Sequence, residues 1–393
     1  MRSVVVFCLC WLLLGGVPLE ADEPISDFAQ GLRNRGYFDT ALEYVQQLQA
    51  VSALSDDARL VLLLERGLTL VQAVPYLTDP AEGQRLAALG EADLREFFKA
   101  APQHPRAAQA MAALGNLLLS QESEKISEEA VDSSKPDRMQ LVRMVIQESR
   151  GYLQQACDRH QTTWELYPVY LPEDQTDLRA ARGAVEEMLI RSQFDLAQCT
   201  YWEAQTYPKG SAGAGRLYRQ AGAEFEAIHQ RYRSQIGGLY ARLWQARCFQ
   251  EQGDGQGIRI ALGIYSEILE HHGSSPTMTD LKDRALRFRL VCLNTDFRRD
   301  YQLVIQEAED WLSASNDRTT TTAGVAIQWQ LCLALESKAA AKDLSPEQRL
   351  DLLQKAHARA YQLSWSRGAT ARRATEMLQR LTPVLEQAGR IDK

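Results

Sequence analysis

Motifs of catalysis and metal binding are missing from this chain. None of its six histidines, His104, His160, His229, His271, His272 and His357, falls in an HExxH or other ligand spacing. No GxxxxGK[ST] loop occurs, and Gly210-Ser-Ala-Gly213-Ala-Gly215 lacks the preceding strand that a phosphate loop requires. No GxSxG elbow is present. The paired acids Glu186-Glu187 and Glu128-Glu129 read as solvated faces or loop residues rather than as an acid/base pair. His271-His272 stands at a helix end, where its role is dipole compensation. Cysteine chemistry is equally thin. Past residue 21 the cysteines are Cys157, Cys199, Cys248, Cys292 and Cys332, an odd number at intervals of 40 to 49 residues, with no CxxC pair and no Cys/His cluster. That excludes a disulfide framework and a zinc site of the usual spacing. The expectation is therefore a non-enzyme with no catalytic, cofactor-binding or metal-binding residues.

Turn-forming residues are scarce as well. The 393 residues hold 13 prolines and 24 glycines, and these fall mostly between long periodic segments. Runs of short alternating strands with hairpin turns are absent, which favours an all-helical class over α/β. Excess positive charge is lacking too. The net charge of −7 gives no global pull toward nucleic acid or an anionic membrane.

What is there begins with a leader. Arg2 precedes an uncharged apolar run from Val4 to Leu14, broken by Gly15, Gly16 and Pro18, with Ala21 before Asp22. This is the layout of a secretory signal peptide over residues 1–21. The run falls short of the roughly 20 apolar residues that a spanning helix needs, and no later segment reaches that length. An exported protein, periplasmic or extracellular, is expected, with no stable span after removal of the signal. Retention of the segment as an anchor is the alternative.

Helical periodicity fills the rest. Ile25, Phe28, Ala29 and Leu32 form one stripe, Gly36 stops it, and Phe38, Ala41, Val45 and Leu48 form the next. Ser55-Asp56-Asp57 caps a helix through Leu60, Leu64, Leu68 and Val71 that ends at Pro75. Further helices cover about 80–100 and 107–119, closing the N-terminal repeats at 22–119. Residues 120–137 carry little apolar surface and read as an acidic linker or long loop. The C-terminal repeats, 138–393, continue with helices from Asp137 toward Tyr167, over 175–206, and near 211–234, 236–252, 257–271, 278–294, 298–314, 322–341, 345–365 and 368–387. Ser345-Pro346 is a helix start with Ser as cap and Pro in first position. The polar face of the last helix, with Arg372, Arg373, Glu376, Gln379 and Arg380, suits a capping helix.

The best-defined hairpin runs from Ala246, Cys248, Phe249 and Gly253 to Ala261, Tyr265 and Ile268-Leu269. Cys199, Cys248, Cys292 and Cys332 recur in similar apolar settings, as small residues at one repeated packing position. At Ala246, Phe249, Gly253, Ala261 and Tyr265, and again at Phe28, Ala29, Leu32, Gly36, Phe38 and Ala41, the chain resembles tetratricopeptide repeats. The C-terminal units are longer than that family's repeat, Gly255-Gln256-Gly257 reads as an insertion between two helices, and 120–210 does not align. The resemblance implies an all-α, right-handed superhelical array of antiparallel helix pairs, with the first helix of each pair lining a concave face. That face would present Tyr240, Leu243, Arg247 and Gln250 in one unit and Arg284, Arg287 and Asn294 in the next, after Phe194, Tyr201 and Trp202. Arg284, Arg287, Arg289, Arg298 and Arg299 together suggest an acidic peptide partner. The functional expectation is an exported helical-repeat scaffold that binds protein or peptide in the cell envelope. A self-assembling structural component without a groove ligand is the second reading. A helical hydrolase of envelope polysaccharide, requiring two facing carboxylates, is the third.

Overall fold

The structure, a computed structural model, describes residues 25–51, 54–77, 79–129, 136–366 and 368–390. The leader read as a signal peptide lies outside them. The described residues contain fifteen α-helices and no strand, and they fall into two compact units that divide between His104 and Pro105.

The first unit holds α1 (Ile25–Asn34), α2 (Phe38–Gln49), α3 (Asp56–Ala73) and α4 (Pro80–Ala100). Gly36 takes φ +78°, a left-handed turn that a Cβ would resist, and so separates α1 from α2. The Ser55 hydroxyl accepts from the Ala58 N–H at 3.1 Å to start α3, and Asp79 accepts from Ala81 ahead of Pro80 to start α4. Leu62, Leu64 and Leu68 of α3 and Leu94 and Phe97 of α4 are buried. Those two helices approach closely at glycines: a Cβ on Gly90 would lie 2.8 Å from Val71 and 3.1 Å from the Gly67 carbonyl. Arg33 of α1 donates to Glu65 and Thr69 of α3, a buried pair that fixes how α1 sits.

The second unit holds α5 (Ala107–Glu129), α6 (Pro136–Glu165), α7 (Thr176–Gln205), α8 (Ala212–Arg231), α9 (Ile236–Gln252), α10 (Gly255–Glu270), α11 (Pro276–Asn294), α12 (Tyr301–Ala314), α13 (Thr322–Ala339), α14 (Pro346–Ser364) and α15 (Ala369–Gln387). Each helix packs on the next. The odd-numbered helices also pack on one another in sequence, α5 on α7, α7 on α9, α9 on α11, α11 on α13 and α13 on α15. No two even-numbered helices pack to that extent among the described residues. The starts are encoded locally: Ser211, Ser275, Thr321 and Ser345 each cap a helix through a side-chain oxygen, and Ser345 with Gln348 forms a reciprocal capping box. Cys199, Cys248, Cys292 and Cys332 lie fully buried, one on each of α7, α9, α11 and α13. The recurring cysteine therefore marks one layer, and burial pushes the Cys199 thiol up to about 11 and the Cys332 thiol up to about 12.

Two details differ from the sequence expectation. The segment 120–137 reads in sequence as an acidic linker or long loop; in the structure α5 continues through Glu129 and α6 begins at Pro136, with 130–135 outside the described residues. Leu119 and Ile126, seven residues apart, reach the cluster of Val142, Ile146 and Leu153 on α6. Past Leu119 the one apolar residue of this stretch is Ile126, and its burial in that cluster carries the helix on. Gly255-Gln-Gly257 is likewise no insertion. It is the first turn of α10, capped by Asp254, whose carboxylate accepts from the Gly257 N–H at 2.6 Å. A Cβ on Gly257 would stand 2.4 Å from the Phe249 carbonyl oxygen, so glycine is what lets the hairpin close.

Candidate binding face on the odd-numbered helices

The helices that touch each other in the odd layer carry most of the residues that the sequence singled out. On α9, Tyr240, Trp244, Arg247 and Glu251 recur at three- and four-residue spacing, which places them along one side. On α11 the matching series is Asp280, Arg284, Arg287, Phe288, Val291 and Asn294, all half-buried or exposed. α7 contributes Tyr201, whose side chain is buried but whose hydroxyl reaches this side.

Arg247 lies at the centre. Its guanidinium donates to the Tyr201 hydroxyl of α7 at 3.0 Å and pairs with Glu251 one turn on at 2.7 Å. Its carbon sits 4.2 Å from the centre of the Phe288 ring of α11. One arginine thus ties three consecutive odd helices together. Gln205 also donates to the Tyr201 hydroxyl. Burial holds the Tyr201 phenol well above its ordinary range.

Two turns toward the start of α9, the Tyr240 hydroxyl donates to Asp280 at 2.7 Å, and Arg284 donates to the same carboxylate at 2.7 Å. Burial and the adjacent Asp280 push the Tyr240 phenol up. The Arg287 guanidinium carbon lies 5.1 Å from the Phe288 ring centre. Burial, with Arg247 and Arg284 nearby, pushes the Arg287 guanidinium down to about 10. Beside this face, a cleft of about 340 Å³ opens between the start of α8 and the end of α9, lined by Ser211, Gly215, Tyr218, Arg219, Glu251 and Asp254.

The structure therefore brings Tyr240, Arg247, Arg284 and Arg287 together. Leu243 and Gln250 it places elsewhere. Leu243 is 1% exposed in the core with Ile258 and Leu281, and Gln250 is buried with its side-chain oxygen accepting from the Tyr265 hydroxyl at 2.8 Å. Both fall on the α10 side of α9, because the helix spacing rotates them away from the Tyr240–Arg247 line. Of the expected basic cluster, Arg289 turns to Glu307 and Ser266, while Arg298 and Arg299 lie in the turn before α12 beside Asp300 and Asp296. Asn294 donates to Gln330 of α13. Phe194, Trp202 and Trp244 pack with Phe225 and Tyr201 in an aromatic cluster across α7, α8 and α9. Sequence reasoning missed Phe288 and the two carboxylates, Glu251 and Asp280. The signal was available: each acid stands four residues from its arginine, the spacing at which helix side chains meet.

Among the described residues no group of three His, Cys, Asp or Glu side chains could hold a metal ion, and no helix is long and apolar enough to cross a membrane. A scan against protein-family models finds no match, and a search of curated proteins finds none either.

Proposed function

We propose that this protein is an exported helical-repeat scaffold whose odd-numbered helices offer a binding face to a protein or peptide partner in the cell envelope. The observation that carries the reading is the packing of α7, α9 and α11 on one another with a half-buried row of aromatic and arginine side chains along their shared side. In a right-handed array of tetratricopeptide-like hairpins, the layer whose helices lie closer together is the inner one, and the odd layer fits that position. Tyr and Arg are the residue types that dominate binding hot spots. Glu251 and Asp280, the carboxylates of this patch, are each engaged by an arginine, which favours binding over sugar cleavage by a free acid pair.

The test is site-specific cross-linking in cells. A photoreactive residue at Val291, on the odd face, should trap a protein partner, whereas one at Gly263, exposed on α10, should trap none. Equal trapping at both positions, or none at Val291, would overturn the reading. A cell-fractionation experiment checks export in the same strain.

Self-assembly has one observation in its favour. The connection between α6 and α7 exposes Leu166 (79%), Val169 (93%) and Tyr170 (78%). Light scattering of the purified chain decides this reading, which a monomer at high concentration removes.

A further inference from the structure

The five arginines of α9 and α11 are not equivalent. Arg242 pairs with Glu267, Arg247 with Glu251, Arg284 with Asp280 and Arg289 with Glu307. Arg287 has no hydrogen bond or ion pair with any described residue; its one contact of this kind is the face of Phe288. We propose that Arg287 is the binding point for a side-chain carboxylate of an acidic peptide that lies across α9 and α11, with Phe288 as its apolar bed. The proposal rests on the odd face being the peptide-binding face, and it adds the chemistry that the face selects.

Three physical arguments lead there. The first is the state of the charge itself. A half-buried guanidinium next to two other arginines is held at a cost, and its depressed pKa reflects that. Arginine does not give up its proton in practice, so an arriving anion is what relieves the site.

The second argument is charge balance. Arg247, Arg284 and Arg287 face Glu251 and Asp280, which leaves one positive charge. A single carboxylate neutralises it. A dianionic phosphate would leave excess negative charge against two fixed carboxylates, so the site favours a monoanion.

The third is geometry. The Arg247 and Arg287 guanidinium groups both pack on Phe288. Arg247 is held in place by Tyr201 and Glu251, while the five N–H donors of Arg287 are uncommitted among the described residues. A planar fork of that kind accepts a carboxylate through two parallel hydrogen bonds. The neighbouring Tyr240, Val291 and Asn294 extend the surface along the helices, which suits a chain rather than a small free anion.

The experiment uses the full chain and a fluorescein-labelled peptide of glutamates spaced by glycine and serine, beside its glutamine counterpart. Binding is read by fluorescence anisotropy. The glutamate peptide should bind saturably and weaken as salt rises, while the glutamine peptide should bind at least about tenfold more weakly. Arg287→Gln should lower affinity for the glutamate peptide by about tenfold or more, with an unchanged circular dichroism spectrum. Arg287→Lys should fall between, because it keeps the charge and loses the fork. Arg259→Gln, on the exposed side of α10, should have no effect.

Equal affinity for the two peptides, or unchanged binding by Arg287→Gln, overturns the proposal. So does competition by free glutamate at the same concentration as the peptide, which would make this a small-anion site. Inorganic phosphate competing more strongly than acetate would overturn the monoanion assignment. Trapping at Val291 without dependence on Arg287 would leave the binding face standing and remove only its carboxylate chemistry. Glutamate-peptide binding through Arg287 with no trapping at Val291 would remove the cellular reading instead.

Discussion

At the residue scale, two arginines that look alike in sequence do opposite work. Arg247 is consumed by the fold: Tyr201, Glu251 and Phe288 surround it. Replacing it strands a mostly buried carboxylate, and breaking such a pair costs several kcal/mol. Arg247→Met should therefore destabilise the chain by about 2–4 kcal/mol in urea unfolding. The double variant Arg247→Met, Glu251→Leu should recover much of that loss, and a double variant no better than the single one would refute the structural role. Histidines give a second prediction at this scale. His160, whose Nδ1 lies 2.9 Å from the Ser192 hydroxyl, and His229, whose Nδ1 lies 3.1 Å from the Gly238 carbonyl oxygen, are both lowered below 6.5, chiefly by burial. The unfolded chain takes up these protons first as pH falls, so their stabilising contribution is present above about 6.5 and is lost as pH drops through the folded values. The urea midpoint should fall between pH 7.5 and 5.5. In a His160→Asn, His229→Asn variant that pH-dependent drop should shrink, and an undiminished drop would assign the effect to other groups.

At the element scale, the hairpin of α9 and α10 shows where local sequence determines packing. Gly253 takes φ +76° to end α9, and Gly257 lies against the Phe249 carbonyl. Gly257→Ala should destabilise by about 1–3 kcal/mol, since its Cβ would meet backbone that has no room to move. Gly263, two turns later on the same helix, is exposed with open space around it. Gly263→Ala should instead stabilise by about 0.5–1 kcal/mol through reduced backbone entropy in the unfolded chain. The opposite signs are the measurement, and thermal unfolding of the two variants reads them. Helix existence was legible in the sequence because caps such as Ser345-Pro346 and stops such as Gly253 act within one turn. The continuation of α5 was not, because Ile126 is a lone apolar residue in an acidic stretch and its partners, Val142 and Ile146, lie on another helix. Hydrogen exchange should find amides 120–129 protected, against the immediate exchange of a loop. In the same way the sequence singled out Arg247 and Arg287 together but could not tell them apart. Only the placement of Tyr201 and Glu251 decides which one is spoken for.

At the scale of the whole molecule, contacts in the unit beginning at Pro105 are local: each helix meets its next or next-but-one neighbour. Where helices stack only on near neighbours, each covers an apolar side of the one before it. α15 does so. Ala374, Met377, Leu381 and Leu385 are buried, with Ala374, Met377 and Leu381 in one cluster with Ala356, Ala360 and Leu363 of α14. Arg372, Arg373, Glu376, Gln379 and Arg380 stay on its exposed face, and Arg380 reaches Glu336 of α13 at 3.1 Å. Removing residues 368–393 uncovers the α14 side without touching α7, α9 or α11, so the truncated chain should keep its helical spectrum but self-associate in light scattering. Substituting Leu363→Lys in the truncated chain should restore the monomer by making the uncovered side polar. A truncated chain that stays monomeric without that change would show that α15 is not a cap. A truncated chain that loses its helices throughout would show instead that the array folds as one cooperative block rather than by nearest-neighbour addition.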